Sequence, residues 1–471
     1  MRKQSFLAAL ALLFAHFCFA QAPAPPAAEQ LTKDWLAAFN SGDKPTLQSF
    51  LEKYRPSDVA HVDGLLDFHS RTGGFDFEKL EESTPTHCSA LLKEKNSDQF
   101  ARMVIDVEPD PPHKITKFEM NAIPRPPEFA IPRMSQKDTI DALGKQLEVD
   151  AAADRFAGTA LLARNGSILF QHAYGLSDRE RKTPNQLNTQ FRIGSMNKMF
   201  TAVCVMQLVQ AGKIQLSDPF GKYLTDYANK DMASKVTIQQ LLTHTGGTGD
   251  FFGPEFDKHR LELKTLQDYV KLYENRSLAF EPGSRFEYSN FGFLLLGVVV
   301  EKVTGQSYYE YVREHVYQPA GMTSTDSLPE SESVSMRSIG YMRERPGPVT
   351  DNKDTLPYRG TSAGGGYSTA EDLYKFATAL ENHKLLDAAH TDMLVTGKVD
   401  TGRGPDKYAF GFFNTNEGGL ECFGHGGGAP GMNGDLKICP KSGYIIAVLA
   451  NLDPPAAQRV SNFAANRLPL H

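Results

Sequence analysis

The stretch IPRPPEFAIPRM, residues 123–134, carries four prolines. Proline has no amide hydrogen to donate and fixes its own φ, so such a run belongs to neither a helix interior nor a central strand. It divides the chain of 471 residues, which is too long for one compact core, into two folded parts. The expected division is a small domain over 31–123, a linker over 124–134 and a larger domain over 135–471. Ahead of both, Arg2 and Lys3 precede an apolar run from Phe6 to Phe14, and the small residue Ala20 closes the segment. That is the pattern of a secretory signal peptide over 1–20, with 21–30 as a Pro/Ala tether. The mature protein is therefore expected to be secreted or periplasmic.

The first part opens with LTKDWLAAFNSGDKPTLQSFLEKY, whose apolar spacing predicts two helices broken at NSGDK. Four partly alternating segments follow, from FDFEKLEEST to HKITKFEMNAI, and predict an antiparallel sheet. In order and size this resembles the helix-plus-curved-sheet cone of ketosteroid-isomerase-like folds. The second part begins with a helix, SQKDTIDALGKQLEV, and a hairpin around Asn165-Gly166. A mostly helical middle follows. The chain then returns to strands in YAFGFFN, LECFGH, GDLKIC and YIIAVLAN, and ends in the helix AAQRVSNFAANRL. Strands at both ends with helices between predict an α/β (α+β) architecture: one antiparallel sheet built from both ends of the domain, flanked by helices, with a helical subdomain beside it. A cleft between sheet and subdomain is the expected place for a site.

Net charge is -6 and no long basic run occurs, so nucleic acid is not an expected partner. The run FGFLLLGVVV, 291–300, is too short to span a bilayer and reads as a buried helix. Cys88 and Cys204 read as solitary buried thiols, whereas Cys422 and Cys439 flank GGAPG and are placed to face each other across two strands. No spacing of His and Cys suggests a metal, and none is expected.

The chemistry concentrates in three places. Residues 199–209, MFTAVCVMQLV, are apolar on nearly every face, so their helix is central. Ser195 would sit in its first turn, where unpaired N–H groups and the dipole favour a developing oxyanion. Lys198 follows three residues later on the same face. A lysine leading into an apolar helix is costly unless neutral or paired, and burial lowers its pKa toward that of a base for Ser195. Capping alone would explain Ser195 but not Lys198. A second Ser-x-x-Lys, Ser41 to Lys44, lies in a polar turn where Ser41 reads as a helix cap.

The second place is Tyr288-Ser289-Asn290, just before FGFLLLGVVV. Tyr288 is positioned to shuttle protons and Asn290 to bond substrate, although Ser289 or Asn290 also suits a plain helix cap. The third is CFGHGGGAPG. There His425 would present a polar or positive group, Gly427 would let the strand backbone approach a substrate, and the N–H of Gly428 would join that of Ser195 as an oxyanion hole. The plain alternative is a glycine-rich turn with an exposed histidine. Two rivals rank lower: HTG at 244–246 reads as a helix C-cap, KSG at 441–443 as a turn, and the remaining histidines as ordinary surface or core residues.

With these elements in order, and with LLTHTGG (241–247), GQSYYEYV (305–312) and GGGYSTAEDLYKF (364–376), the chain over about 140–465 resembles the serine β-lactamase-related hydrolases. These include class C β-lactamases, D-alanyl-D-alanine carboxypeptidases, D-aminopeptidases and family VIII carboxylesterases. The resemblance implies a transpeptidase-like fold, acylation of Ser195, proton management by Lys198 and Tyr288, and release of the acyl group by water without metal or organic cofactor. His-Gly-Gly stands where such β-lactamases carry Lys-Thr-Gly, so a small ester, amide or peptide substrate is expected before a β-lactam. A non-hydrolytic, penicillin-binding-like sensor is the alternative.

Overall fold

The computed structural model describes residues 25–343, 348–402 and 404–471; the expected signal peptide lies outside them. Helix α1 (Ala27–Asn40) begins inside the stretch expected as a tether. Leu31, Trp35 and Phe39 recur every four residues on it and form its buried stripe. Asp43 accepts the amide of Thr46 and starts α2 (Lys44–Tyr54). Ser41 ends α1 instead, its hydroxyl donating to the Ala38 carbonyl at 2.7 Å. A third helix, α3 (Val62–Thr72), lies outside the expected elements; Val62 and Thr72 are buried, and Leu65, Leu66 and Phe68 pack partly buried against the same core. The strands β1 (Phe75–Ser83), β2 (His87–Glu94), β3 (Phe100–Val107) and β4 (Ile115–Ile123) form an antiparallel sheet in that order. Alternate residues Cys88, Ala90 and Leu92 of β2 and Met103 and Ile105 of β3 meet the α1 stripe. Trp35, Phe39 and Leu51 fill the space between helices and sheet.

The proline-rich linker is packed rather than free. Its Phe129 ring lies 5.2 Å from that of Phe100. Its Arg133 guanidinium donates to the carbonyls of Ala465 (2.5 Å), Leu468 (2.9 Å) and Gly418 (2.6 Å), and to that of Glu417. Arg467 pairs with Asp98 at 2.6 Å and Arg459 with Glu94, which dock the first domain on the end of the second.

In the second domain Ser135 caps α4 (Gln136–Ala152). Strands β5 (Gly158–Arg164) and β6 (Ser167–Tyr174) form the expected hairpin. The helical middle contains α5 (Asn197–Gln210), α6 (Ile238–Leu242), α7 (Asn290–Thr304) and α8 (Ala370–Glu381). Then come β7 (Val399–Asp400), β8 (Lys407–Tyr408), β9 (Phe413–Glu417), β10 (Leu420–Ala429), β11 (Met432–Cys439), β12 (Tyr444–Ala450) and α9 (Ala456–Ala465). The sheet runs β7-β8-β9-β10-β11-β12-β5-β6, so the last strand pairs with the first, as the sequence implied. Period-2 alternation sorts its residues: Leu161, Ala163, Ala447 and Leu449 face the helical middle, while Ala160, Leu162, Ile446 and Val448 face α4 and α9. Cys422 and Cys439, opposite each other on β10 and β11, form a disulfide, whereas Cys88 and Cys204 are free and buried. Among the described residues no helix is long and apolar enough to cross a membrane.

Candidate active site

Helix α5 is buried from Asn197 through Met206, as its all-apolar sequence requires. Ser195 precedes it, in a single 3-10 turn over Gly194–Met196, rather than lying within its first turn. Gly194 adopts φ +52°, and a Cβ there would sit 3.0 Å from the amide nitrogen of Gly428. The turn carrying Ser195 thus abuts the end of β10 directly. Pairing with β9 stops at Gly424, which faces Phe413, so the β9-side edge of β10 is open from His425 onward. A Cβ on Gly427 would fall 1.8 Å from the carbonyl oxygen of Ile193. Gly427→Ala must therefore push the strand away from the Ser195 turn. A displacement near 1 Å is expected to lower kcat/KM at least about 100-fold, with the far-ultraviolet circular dichroism spectrum unchanged.

Lys198 is completely buried. Its Nζ lies 3.1 Å from Ser195 Oγ, 2.7 Å from Asn290 Oδ1 and 2.5 Å from the Ala363 carbonyl oxygen. It also sits 4.7 Å from the centre of the Tyr288 ring. Burial pushes the pKa of Lys198 down to about 7, partly opposed by the negative charge of Asp250. The amine is therefore poised near neutrality, and in its uncharged form it can accept the proton of the Ser195 hydroxyl beside it. Tyr288 lines the same cleft as Ser195, and burial raises its pKa, so it stands by as a phenol rather than a phenolate. The structure thus brings Ser195, Lys198 and Tyr288 to one place.

Two expectations, for Asn290 and His425, need correction. Ser289 is the helix cap of α7, its hydroxyl accepting the Gly292 amide at 2.9 Å. Asn290 was expected to bond substrate, but its carboxamide is engaged by protein at both ends: Oδ1 receives Lys198 and Nδ2 donates to Asp250 Oδ2 at 2.7 Å. His425 was expected to be polar or positive toward substrate. It is only 4 % exposed, and burial together with the nearby Lys198 charge pushes its pKa down to about 3, so it is a neutral imidazole.

His244 does stand in the C-cap of α6, with the Thr245 amide donating to the Gln240 carbonyl at 2.9 Å, but it does more than end a helix. It is buried, with a left-handed φ of 57°, uncommon for a residue with a side chain. The Ser289 amide donates to its Nδ1 (3.1 Å), which leaves the proton on Nε2, 3.0 Å from the Tyr408 hydroxyl. That hydroxyl in turn donates toward Nε2 of His425 (3.3 Å), and His425 Nδ1–H donates to the Gly426 carbonyl (2.5 Å). Each hydrogen in this chain has one direction, which fixes both tautomers. The His244 ring also packs 4.2 Å from the Tyr288 ring. The segment LLTHTGG was noticed in the sequence, but nothing in it linked His244 to Tyr408, 164 residues away.

Ser195 opens into a cleft of about 570 Å³. Ser195, Tyr288, His425, Gly427 and Gly428 line one part, Phe286 and Phe413 an apolar wall, and Asp406, Glu417, Asp435 and Lys437 the rest. Lys437 is held 3.5 Å from both Glu417 and Asp435.

Residues 139–470 match the family model described as Beta-lactamase. The chain belongs to the beta-lactamase family. Within it, the putative penicillin-binding protein PbpX of Bacillus subtilis is 31% identical over 296 residues, covering 62% of this chain and 70% of that one. The crystal structure of a penicillin binding protein from Bacillus halodurans superposes with a TM-score of 0.62 at 33% identity, covering 67% of this chain and 98% of that one. A D-stereospecific amidohydrolase from Streptomyces sp. superposes with a TM-score of 0.59 at 28% identity, covering 68% and 97%. The small first domain lies ahead of the beta-lactamase match, which begins at α4. This chain is a serine beta-lactamase-family hydrolase with penicillin-binding and amidohydrolase relatives.

Proposed function

We propose that this protein is an exported hydrolase that cleaves esters or amides through an acyl-enzyme on Ser195. The observation that carries the reading is the buried Lys198 amine 3.1 Å from the Ser195 hydroxyl. In the acylation step the neutral amine takes the hydroxyl proton as Ser195 Oγ attacks the carbonyl carbon. The N–H groups of Ser195 and Gly428 are the proposed oxyanion hole, and Tyr288 returns a proton to the leaving group. Water then attacks the acyl carbon with the same groups acting in reverse. The acid limb of kcat/KM for a p-nitrophenyl ester is expected at about pH 7, where Lys198 becomes protonated. A profile flat between pH 5 and 8 would remove Lys198 from the role of base.

Charge in the cleft favours an ester or D-amino-acid amide over a β-lactam. His425 is neutral, and Lys437 is committed to two carboxylates, so no free cation awaits a substrate carboxylate among the described lining residues. The relationship to a D-stereospecific amidohydrolase supports the same direction. Matched substrates with a neutral or a carboxylate-bearing leaving group should differ at least about tenfold in kcat/KM, the neutral one being faster. Equal rates, or preference for a chromogenic cephalosporin, would reject this specificity. The penicillin-binding relatives favour a second reading, acylation without turnover; mass spectrometry separates the two, because a persistent Ser195 adduct without product marks the sensor. The Cys422–Cys439 disulfide supports export to an oxidising compartment; recovery of a chain starting near residue 21 from the exported fraction tests it.

A further inference from the structure

Between Lys198 and the loop that follows α6 runs a short polar chain that the acyl-enzyme reaction does not itself require. Asn290 Oδ1 receives Lys198 Nζ, and Asn290 Nδ2 donates to Asp250 Oδ2, both at 2.7 Å. The other carboxylate oxygen of Asp250 accepts the amides of Phe251 (2.7 Å) and Phe252 (3.3 Å). The loop is pinned from two sides: the Ser289 hydroxyl donates to the Gly249 carbonyl at 2.5 Å, and Arg276 donates to the Asp250 carbonyl. Arg276 itself stacks 3.9 Å over the Tyr273 ring, whose hydroxyl donates to the Phe251 carbonyl at 2.9 Å.

We propose that Asp250 is a positioning residue for Lys198, dictating which end of the Asn290 amide faces the amine and supplying the negative charge that sets its proton affinity. The first half follows from donor inventory. A carboxamide can turn either end toward a neighbour, whereas a carboxylate only accepts. Asp250 therefore compels Asn290 to point its NH₂ outward and its oxygen at Lys198. Were the amide to flip, its NH₂ would confront the ammonium, donor against donor. The second half follows from the surroundings of Nζ. Facing it are the Ser195 hydroxyl, the Ala363 carbonyl, the Asn290 amide, the Tyr288 phenol ring and, at 5.6 Å, the Phe293 ring. His244 and His425 lie near enough for its charge to depress their own protonation, and both are buried and neutral. Asp250 is the anion within reach of this otherwise uncharged surround, and it opposes the effect of burial on Lys198.

This inference rests on Lys198 acting as the base for Ser195, and the test keeps the two apart. The pH profile of kcat/KM for a p-nitrophenyl ester is measured with the full chain carrying Asp250→Asn, Asp250→Ala or Asp250→Glu. A covalent serine probe reports Ser195 in each. Loss of the charge should move the acid limb to lower pH by about 0.5–1 unit in the Asn and Ala variants. Their plateau should also fall about 10- to 100-fold, because the amide is no longer held. Asp250→Glu keeps the charge and should hold the limb near its wild-type position even if the plateau drops. A merely structural role would lower the plateau and leave the limb in place, and that result overturns the proposal. If wild type shows neither probe labelling nor an acid limb, the assignment of Lys198 fails first and this inference with it. Should one variant not fold, the limb of the other charge-removing variant decides.

Discussion

Ser195→Ala should lower kcat/KM for an activated ester by about five to six orders of magnitude, the loss typical of removing a nucleophile that acts as one unit with its base. The variant should keep its fold, because the hydroxyl makes no packing contact on which the 3-10 turn depends; Gly194 and the Met196–Ile193 hydrogen bond shape that turn. Substrate binding should survive, so an unreacted ester or amide should inhibit or co-purify. Turnover within about tenfold of wild type would show that Ser195 is not the nucleophile, whatever the surrounding geometry.

Replacing Lys198 by methionine is the second large effect, and it separates activity from stability. Loss of the general base should lower kcat/KM by about 10³–10⁴. Stability should also depend on pH, over a different window. A lysine in the unfolded chain titrates near 10.4, whereas in the folded protein burial brings Lys198 down to about 7. Between those values the unfolded chain binds a proton that the folded protein does not. The stability of wild type relative to Lys198→Met should therefore rise with pH across that window, by about 1.4 kcal/mol per unit. Below about pH 7 both states carry the proton and the difference should level off. Denaturant unfolding of the two proteins at pH 7 and pH 9 measures this directly. A pH-independent difference would mean that Lys198 is charged in the folded protein even at pH 9.

The parts of this site that were legible in the sequence are those where a residue type had no cheaper explanation. Lys198, at the head of an apolar helix, had to be neutral, paired or used, and the strands closing the sheet announced themselves by alternation. Asn290 and His425 are visible in the sequence, but the groups that claim them are not. Sequence shows that an amide or an imidazole is present, whereas its role depends on which partner claims each polar atom, here Asp250 and Tyr408. His244 and Asp250 were missed for a related reason. One occupies a left-handed position where a helix usually ends on glycine, and the other lies in a glycine-rich loop, so both resemble punctuation. Helix α3 does carry a helical signal, Val62, Leu65 and Leu66 on one face, but in a run of eleven residues too short to stand out between α2 and β1.

Arg133 bears on how the molecule can be taken apart. Four carbonyl groups, from the β9–β10 turn and from the carboxyl-terminal end of α9, converge on this single guanidinium near the end of the proline-rich segment. Trimming the chain at residue 135, at the cap of α4, would leave those oxygens without their donor. A minimal hydrolase should start upstream of Arg133, so the seam between the halves of this protein lies within the larger one's own architecture.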